Sequence, residues 1–332
     1  MPNIPLLWEK ILSSKNILLI NHIRMDPDAF WSLSWFHQIL EKMWKNVKAI
    51  NDDLVPENFW FLKQNHIIST DLVLFPHLTR EGIKGWVPDL IISFDAASID
   101  QLGQSYTKNK QIFDSTDFFV IDHHLSNPQF GQYNIIKTDF SSTCEIVFDI
   151  IEQLNYIKYM DKSIATCLFT GMITDTNIFY NQNTTPNTHR IAWKLMKHWA
   201  DFRAPIFEFY KKKSFKASKL WWEILKDMKQ IEVSSKIITY SLVKQEYFEK
   251  TWTSDEDISG LINEFLSNIE NSDVCFLLYP LKDWKVKASF RSKEIDVSKI
   301  CQKYWWWWHK LAAWCSVDMK IWDFEKEIIK NF

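Results

Sequence analysis

Glycine is scarce in this chain. Only 6 of its 332 residues are Gly, whereas a globular protein of this length carries about 7% Gly, or roughly 23 residues. Tryptophan is in excess by a similar amount, since there are 18. A chain so poor in Gly would lack the residue that tight turns and helix ends favour. The two departures together suggest that many of the Trp positions carry Gly in the living organism.

The positions of the tryptophans support this hypothesis. Trp305–Trp308 are consecutive, and four adjacent indoles would have to bury a very large apolar area around the chain. Trp44 and Trp199 follow helical patterns where a C-capping Gly is expected, and Trp284 lies between two strand-like runs. Some bacterial lineages read the codon UGA as Gly, while a common alternative translation table reads it as Trp. The alternative is a genuinely Trp-rich protein.

Other absences exclude whole classes of protein. No apolar run exceeds a few residues, which excludes a membrane span, and the N-terminal residues lack the order of a signal peptide. A net charge of −2 provides no basic field for gripping duplex DNA. The five cysteines are scattered and never spaced C-x-x-C, so we expect reduced thiols in a cytoplasmic protein, with neither a disulfide framework nor a zinc knuckle.

Short apolar runs alternate with helical patterns in the first half of the chain. Asn16–Asn21, Leu90–Phe94 and Phe118–Ile121 predict strands, and a helix is expected over about Ser32–Lys45. This alternation predicts an α/β domain over residues 1–187 with a mainly parallel sheet flanked by helices. A helical connector is expected over 188–230. A smaller C-terminal α/β domain is expected over 231–332.

Carboxylates and imidazoles follow the predicted strands at the points where they end. Because parallel strands end at one edge of their sheet, these side chains should meet there. Mixed oxygen and nitrogen donors suit Mn²⁺, Mg²⁺ or Fe²⁺, and six ligands suffice for two ions sharing one carboxylate. The candidates are His22, Asp26, Asp28, Asp95, Asp122, His123, His124 and Asp175.

This set resembles the DHH phosphoesterase superfamily, which is named after its Asp-His-His motif. If Trp31 is Gly, Asp28–Ser32 becomes the family's D-A-x-G-S, and Thr170–Thr176 matches its T-G-[IM]-x-T-D-T. With Gly for Trp, the segment from Trp305 to Trp314 reads GGGGHxxAAG, the signature of the DHHA1 domain. Met25, Pro27 and Asn177 depart from the family pattern, but they lie between or beside the ligands.

The resemblance implies a division of labour among these residues. One Mn²⁺ would be held by His22, Asp26 and Asp95, and a second by Asp28, Asp95, His123 and Asp175, with Asp95 bridging; Mg²⁺ or another divalent ion is also possible. Asp122 would orient a histidine, and His124 would face the substrate phosphate. The active site would lie in the cleft between the domains. Substrate would also contact Arg291, Trp305, Trp306, Trp307, Trp308 and His309.

Among DHH proteins the chain resembles the family of bifunctional oligoribonucleases and 3′-phosphoadenosine 5′-phosphate (pAp) phosphatases. The implied reaction is hydrolysis of short single-stranded RNA to mononucleotides, or of pAp to AMP, by a hydroxide bridging the two ions. A phosphodiesterase for cyclic or linear dinucleotides is the alternative. If the tryptophans are genuine, a non-catalytic nucleotide-binding relative is expected instead. We expect no membrane association and infer no stable protein partner.

Overall fold

The structure, a computed structural model, describes residues 3–62, 67–70, 77–79, 82–84, 86–281, 284–304 and 310–332. The chain forms two compact units, Met1–Phe209 and Tyr210–Phe332. The boundaries of the three segments predicted from the sequence stay predictions. Among the described residues, no helix combines the length and apolar character needed to cross a bilayer.

The first unit is built around a six-stranded parallel sheet with the order β3-β2-β1-β6-β7-β8. The central strands consist almost wholly of buried apolar residues, as expected for a sheet covered on both faces. Its strands are β1 (Asn16–Asn21), β2 (Asn46–Ile50), β3 (Ile68–Ser69), β6 (Leu90–Phe94), β7 (Asp117–Asp122) and β8 (Tyr133–Ile136), with a separate hairpin of β4 (His77–Thr79) and β5 (Gly82–Lys84).

Helices pack against this sheet through apolar faces. Helices α2, α5 and α6 contribute fully buried side chains to the main core, and each is capped at its N-terminus by the carboxylate or hydroxyl of the preceding residue. The helices are α1 (Asn3–Ser13), α2 (Pro27–Lys42), α3 (Gly103–Thr107), α4 (Lys110–Ser115), α5 (Thr143–Gln153), α6 (Lys162–Asp175), α7 (Pro186–Lys197) and α8 (Arg203–Ile206).

The second unit contains a mixed five-stranded sheet with the order β13-β12-β11-β10-β9, in which only β10 and β11 are parallel. The predicted α/β fold class, with a parallel sheet first and a smaller α/β unit after it, is confirmed. Its elements are α9 (Phe215–Lys226), β9 (Lys229–Val233), β10 (Lys236–Leu242), α10 (Gln245–Thr251), α11 (Leu261–Glu264), β11 (Val274–Pro280), β12 (Val286–Ser292), α12 (Ser298–Gln302), β13 (Ala312–Val317) and α13 (Ile321–Ile329).

Candidate metal centre and active site

Three adjacent strands of the first sheet deliver the candidate side chains. Strands β1, β6 and β7 are neighbours and parallel, so they end at the same edge. His22 follows β1, Asp95 follows β6, and Asp122 closes β7 just before His123 and His124. Between β1 and β6 the strand order reverses, and such a switch point is where open α/β sheets bind ligands.

Helix α2 brings two more carboxylates to this edge. It begins at Pro27, earlier than the predicted Ser32, because Asp26 accepts a hydrogen bond from the Ala29 amide (2.9 Å) and Pro27 supplies a preset helical φ. Asp28 lies in the first turn and is buried. The Asp-Pro pair is a helix-start signal that could have located this end from the sequence.

Helix α6 approaches the same edge closely. Asp175 is its last residue, and Gly171 lies one turn earlier. A Cβ at Gly171 would lie 2.7 Å from Asp28 Oδ1 and would also clash with the Cys144 side chain. This close contact between α6 and Asp28 therefore requires glycine.

The candidate residues form three groups that could each hold a cation. One consists of Asp95, Asp122, His123 and His124, and the other two together contain the six predicted ligands. Of these two ligand groups, His22, Asp26 and Asp95 make one, and Asp28, His123 and Asp175 make the other; within each group the ligand atoms lie within 4.8 Å of one another. Oxygen donors with one imidazole suit a divalent ion such as Mn²⁺ or Mg²⁺. The structure thus brings together all six residues that the sequence marked as metal ligands.

Asp95 lies between the two groups. Its Oδ2 is 3.7 Å from Nε2 of His22, and its Oδ1 is 3.5 Å from Nε2 of His123. The Asp95 backbone is in the left-handed region (φ 58°), which Asp tolerates better than most residues. Each oxygen of this one carboxylate therefore faces a different group.

Asp122 and His124 form a hydrogen-bonded pair beside the groups. Nδ1 of His124 is 2.7 Å from Oδ1 of Asp122, while Oδ2 of Asp122 accepts a hydrogen bond from Asn127 (2.7 Å). His124 Nδ1 is also 3.8 Å from Oδ1 of Asp95. Asp122 is buried, so its carboxylate fixes the orientation of the His124 ring.

The buried carboxylates repel one another. Burial, with the charges of Asp95 and Asp175, raises the pKa of Asp28 well above its usual range. Burial also raises the pKa of Asp175 to about 7, although His123 opposes the shift. Buried carboxylates with raised pKa values are stabilised by added positive charge, so this donor set fits divalent cations.

The same carboxylates raise the pKa values of the nearby histidines. Burial lowers the pKa of His124, but the hydrogen bond to Asp122 and the nearby carboxylates outweigh it and raise that pKa to about 10. Burial is likewise outweighed at His22, where Asp26 and Asp95 hold the pKa well above its usual range. The surrounding carboxylates therefore favour the protonated form of both imidazoles.

Comparison with known proteins agrees with this geometry. Residues 16–172 match the family model described as "DHH family, N-terminal domain". The N-terminal domain is a DHH-family domain. The matched range contains five of the six proposed ligands, and only Asp175 lies beyond it.

Similar proteins match this chain over nearly its whole length. It is 25% identical over 319 residues to the bifunctional oligoribonuclease and PAP phosphatase NrnA of Bacillus subtilis, covering 95% of this chain and 93% of that protein. The NrnA of Thermus thermophilus is 38% identical over 201 residues, covering 58% and 55% of the two chains. A crystal structure of an exopolyphosphatase-related protein from Bacteroides fragilis has the same fold, with a TM-score of 0.85 at 20% identity over 99% of this chain and 95% of that one.

The family and the site together define the class of enzyme. A DHH-family domain with a carboxylate and imidazole cluster at the strand ends is a divalent-metal-dependent phosphoesterase. The protein is therefore a phosphoric ester hydrolase.

The predicted substrate residues Arg291 and Trp305–His309 belong to the second unit by their position in the chain. Arg291 is on β12, where its Nε donates to Asn263 Oδ1 (2.7 Å) and its Nη1 to the Phe290 carbonyl (2.7 Å). The segment from Trp305 to His309 lies outside the described residues. The roles of Arg291, of this segment and of the individual metal ligands stay predictions.

Three further residues contact the cluster and were missed from the sequence. Thr143 donates its hydroxyl to Asp95 Oδ1 (2.9 Å), and Asn127 donates to Asp122. Asn183 donates to Asp175 Oδ2 (3.3 Å) and to the Ser141 carbonyl (2.9 Å). The run Ser141-Ser142-Thr143 before an apolar helix was a visible N-cap signal, but nothing local indicated that the helix starts at the cluster.

Proposed function

We propose that this phosphoesterase hydrolyses short single-stranded oligoribonucleotides to mononucleotides and pAp to AMP. The observation that carries the proposal is the position of Asp95, whose two oxygens face two separate ligand groups. Such a carboxylate suits a pair of ions that act on one phosphate. Relatives named as bifunctional oligoribonuclease and PAP phosphatase, matched over most of the chain, support this substrate class.

Two divalent ions, Mn²⁺ being our first choice, would occupy the cluster. His22, Asp26 and Asp95 would hold one ion, and Asp28, Asp95, His123 and Asp175 the other. When bound, the ions would make the attacking water more acidic and neutralise charge on the phosphate oxygens. Asp122 is buried and accepts a hydrogen bond from the partly buried Asn127, and this contact would help to hold the Asp122 carboxylate against His124.

His124 would bind the substrate phosphate. Its raised pKa of about 10 favours the cationic ring, and the hydrogen bond between Nδ1 and Asp122 fixes the orientation of that ring. A cationic donor beside the phosphorus stabilises the charge that grows on the oxygens in the transition state. Arg291 and the 305–309 segment of the second unit would bind other phosphates of the substrate, with backbone N–H groups as donors where Gly stands. We place the enzyme in the cytoplasm, in keeping with its five buried free cysteines.

A substrate panel tests the proposal. The panel contains a 5-mer RNA, linear dinucleotides, pAp and cyclic dinucleotides, each with Mn²⁺, and it is run on the present chain and on a chain with Gly at Trp31, Trp305–Trp308 and Trp314. We expect the Gly chain to release mononucleotides from the 5-mer and AMP from pAp, and a chelator to abolish both. Hydrolysis of cyclic or linear dinucleotides alone would instead assign the alternative phosphodiesterase activity. Absence of metal-dependent hydrolysis of every member by both chains would refute the proposal.

A further inference from the structure

Thr143 touches two of the proposed metal ligands at once. It is the first residue of α5 and is completely buried. Its hydroxyl donates to Asp95 Oδ1 (2.9 Å), and its backbone N–H donates to Asp28 Oδ2 (2.6 Å). The next amide, of Cys144, donates to the other oxygen of Asp28 (2.9 Å).

The orientation of Asp28 is fixed by more hydrogen bonds than that of Asp95. Asp28 is bound by two amides at the start of α5, whose unpaired N–H groups and helix dipole favour an anion. The Asp95 backbone is held by its amide, which donates to the Ile121 carbonyl (2.9 Å). The last torsion of an Asp side chain is nevertheless soft, so the backbone alone does not decide which oxygen faces which group.

We propose that Thr143 is the positioning residue that sets the rotation of the Asp95 carboxylate, so that each oxygen meets a different ion. Its hydroxyl bonds Oδ1, the oxygen that faces His123, and leaves Oδ2 directed at His22. This inference rests on the proposed function, because it assumes that ions bind the two groups. The inference adds Thr143, which contacts the proposed ligand Asp95 and would not contact the ions.

Thr143→Val removes the hydroxyl but keeps the shape and the backbone N–H that binds Asp28. Partners of this kind contribute about 10–100-fold to metal affinity or activity, so we expect Mn²⁺ affinity measured by calorimetry, and kcat, each to fall by about that factor. KM should stay unchanged. Thr143→Ser, which retains the hydroxyl, should recover both. Thr251→Val is the matched control, since this buried Thr of the second unit bonds only its own helix and neighbouring turn.

The outcomes separate this inference from the proposed function. If Thr143→Val has the same Mn²⁺ affinity and kcat as Thr143→Ser and the parent, the positioning role of Thr143 is overturned. If the parent neither binds Mn²⁺ nor hydrolyses any phosphoester, the proposed function fails instead. Should circular dichroism show Thr143→Val unfolded, Thr143→Ala takes its place, and metal affinity equal to that of the parent would again overturn the role of the hydroxyl.

A second, independent observation concerns the tryptophans. Four of them have left-handed backbone: Trp44 (φ 60°), Trp199 (φ 66°), Trp252 (φ 57°) and Trp284 (φ 67°). Their exposed fractions are 95%, 80%, 88% and 91%. A bulky side chain in this region is strained, and an indole so exposed gains little burial in return.

Each of the four occupies a position that glycine normally fills. After α2, the Lys45 amide bonds the Leu40 carbonyl (3.0 Å) and the Trp44 amide bonds that of Glu41 (2.9 Å), which is a Schellman helix end with Trp44 at the left-handed residue. The amides of Ala200 and Trp199 repeat the pattern after α7. Trp252 ends α10.

Trp284 completes a hairpin of the kind that needs a left-handed third residue. The connection between β11 and β12 runs over residues 281–285. In it the Leu281 amide donates to the Lys285 carbonyl (2.8 Å) and the Trp284 amide donates to that of Leu281 (3.2 Å), so three residues lie between the bonded pair Leu281 and Lys285. In such loops the last residue is left-handed and is usually Gly.

Two buried tryptophans are also poorly accommodated. Trp31 and Trp35 in α2 are completely buried, and the indole N–H of each has no hydrogen-bond partner among the described residues. Buried Trp N–H groups usually find an acceptor. Trp221 behaves differently, because its Nε1 donates to the Asp257 carbonyl (3.0 Å).

We infer that the functional protein carries glycine at positions 44, 199, 252 and 284. Position 252 was not singled out by the sequence and is identified by its φ angle alone. If these codons are UGA, translating UGA as Trp when the organism reads it as Gly would explain why Trp stands at these positions.

Unfolding measurements and codon reading test this inference. In the full chain, Trp44→Gly, Trp199→Gly, Trp252→Gly and Trp284→Gly should each raise the urea midpoint of unfolding, and each should exceed the matching Ala variant, since Ala keeps the strain. Trp222→Gly is the matched control: this Trp is exposed but lies inside α9, so Gly should lower the midpoint. The coding DNA should have UGA at the four codons. Gly variants no more stable than their Ala counterparts, or UGG at these codons, would overturn the inference.

Discussion

The strand-end cluster and the left-handed turns differ in how well their residue types suit the backbone around them. In the cluster, Asp28 is bound by the amides of α5, and Asp95 faces an imidazole on each side. In the turns, Trp44 and Trp284 occupy conformations that disfavour any bulky residue. None of the proposed metal ligands is a Trp. The comparison teaches that the identities of the proposed metal ligands do not depend on the tryptophan question, whereas the proposed phosphate loop depends on it entirely.

The largest effect is expected at Asp95. Asp95→Ala should reduce hydrolysis at least about a thousandfold, because losing a shared carboxylate removes several kcal/mol of transition-state stabilisation. The steady-state rate on 5-mer RNA with saturating Mn²⁺ measures the effect. Asp114→Ala, at an exposed Asp paired with Lys110, is the control and should keep the parent rate. A rate above a few per cent of the parent for Asp95→Ala would contradict the ligand set.

The phosphate loop should show the next largest effect. The present chain should bind Mn²⁺ but hydrolyse RNA very poorly, and Gly at Trp305–Trp308 and Trp314, together with Trp31→Gly, should recover most of the substrate affinity. Backbone N–H groups can reach a phosphate only where no side chain intervenes. Calorimetric Mn²⁺ titration beside the 5-mer assay measures both properties. Equal rates of RNA cleavage by the Trp and Gly chains would contradict the proposed dependence of substrate binding on the loop.

A substitution at His309, made in the chain with Gly at the tryptophan positions, separates metal binding from substrate binding. His309→Ala should raise KM for the 5-mer by about 10-fold, the effect of one lost hydrogen bond to a charged group, while Mn²⁺ affinity stays at the parent value. Loss of metal binding in this variant would mean that the second unit supplies a ligand, and the assigned roles would have to be dropped.

Substitution of Arg291 should have an effect similar to or smaller than that of His309→Ala. Arg291→Gln should lower kcat/KM by about 10-fold, since one charge-assisted hydrogen bond to phosphate contributes about 1.5–3 kcal/mol and Gln retains part of it. Arg190→Gln, at an exposed Arg paired with Glu152, is the control and should leave kcat/KM unchanged. An unchanged kcat/KM in Arg291→Gln would remove Arg291 from the substrate site.

The smallest effect concerns the stability of the metal-free protein. Burial and the charges of Asp95 and Asp26 raise the pKa of Asp175 to about 7 against the opposing effect of His123. Because the folded state then holds this proton more tightly than the unfolded chain, stability from Asp175 is present below about pH 4 and is lost as the pH rises through about 7. His124, with its pKa of about 10, acts in the same direction at higher pH.

Thermal unfolding with a chelator, at pH 5 and pH 8, measures this effect. We expect a midpoint lower at pH 8 by a few degrees, given that about 1 kcal/mol moves the midpoint of such a domain by about 2–4 °C. Saturating Mn²⁺ should reduce the difference, and Asp175→Asn should reduce it in the metal-free protein. A midpoint that rises with pH would contradict the charge balance described for the cluster.

Much of the fold and of the cluster could be predicted because the signals are local. Apolar runs such as Leu90–Phe94 mark buried strands, and the polar residue after each run lies at the sheet edge whatever the rest of the chain does. Helix α2 begins at Pro27, five residues before the predicted Ser32, because Asp26 caps the helix ahead of the apolar periodicity that marks its interior. Thr143 could not be found, because its distance to Asp95 depends on how α5 docks on the sheet.

By itself the sequence predicted the kinds of candidate ligands, their order along the chain and the place of His22, Asp95 and His123 after strands, since alternation of strands and helices constrains where each Asp and His can lie. It also revealed the imbalance between Gly and Trp, which is a property of composition. Tertiary structure alone decided which oxygen of Asp95 faces which histidine, and that two amides of α5 bind Asp28. It alone identified position 252 as left-handed. The physical reason is that side-chain rotation and helix-end geometry depend on contacts between residues far apart in the chain.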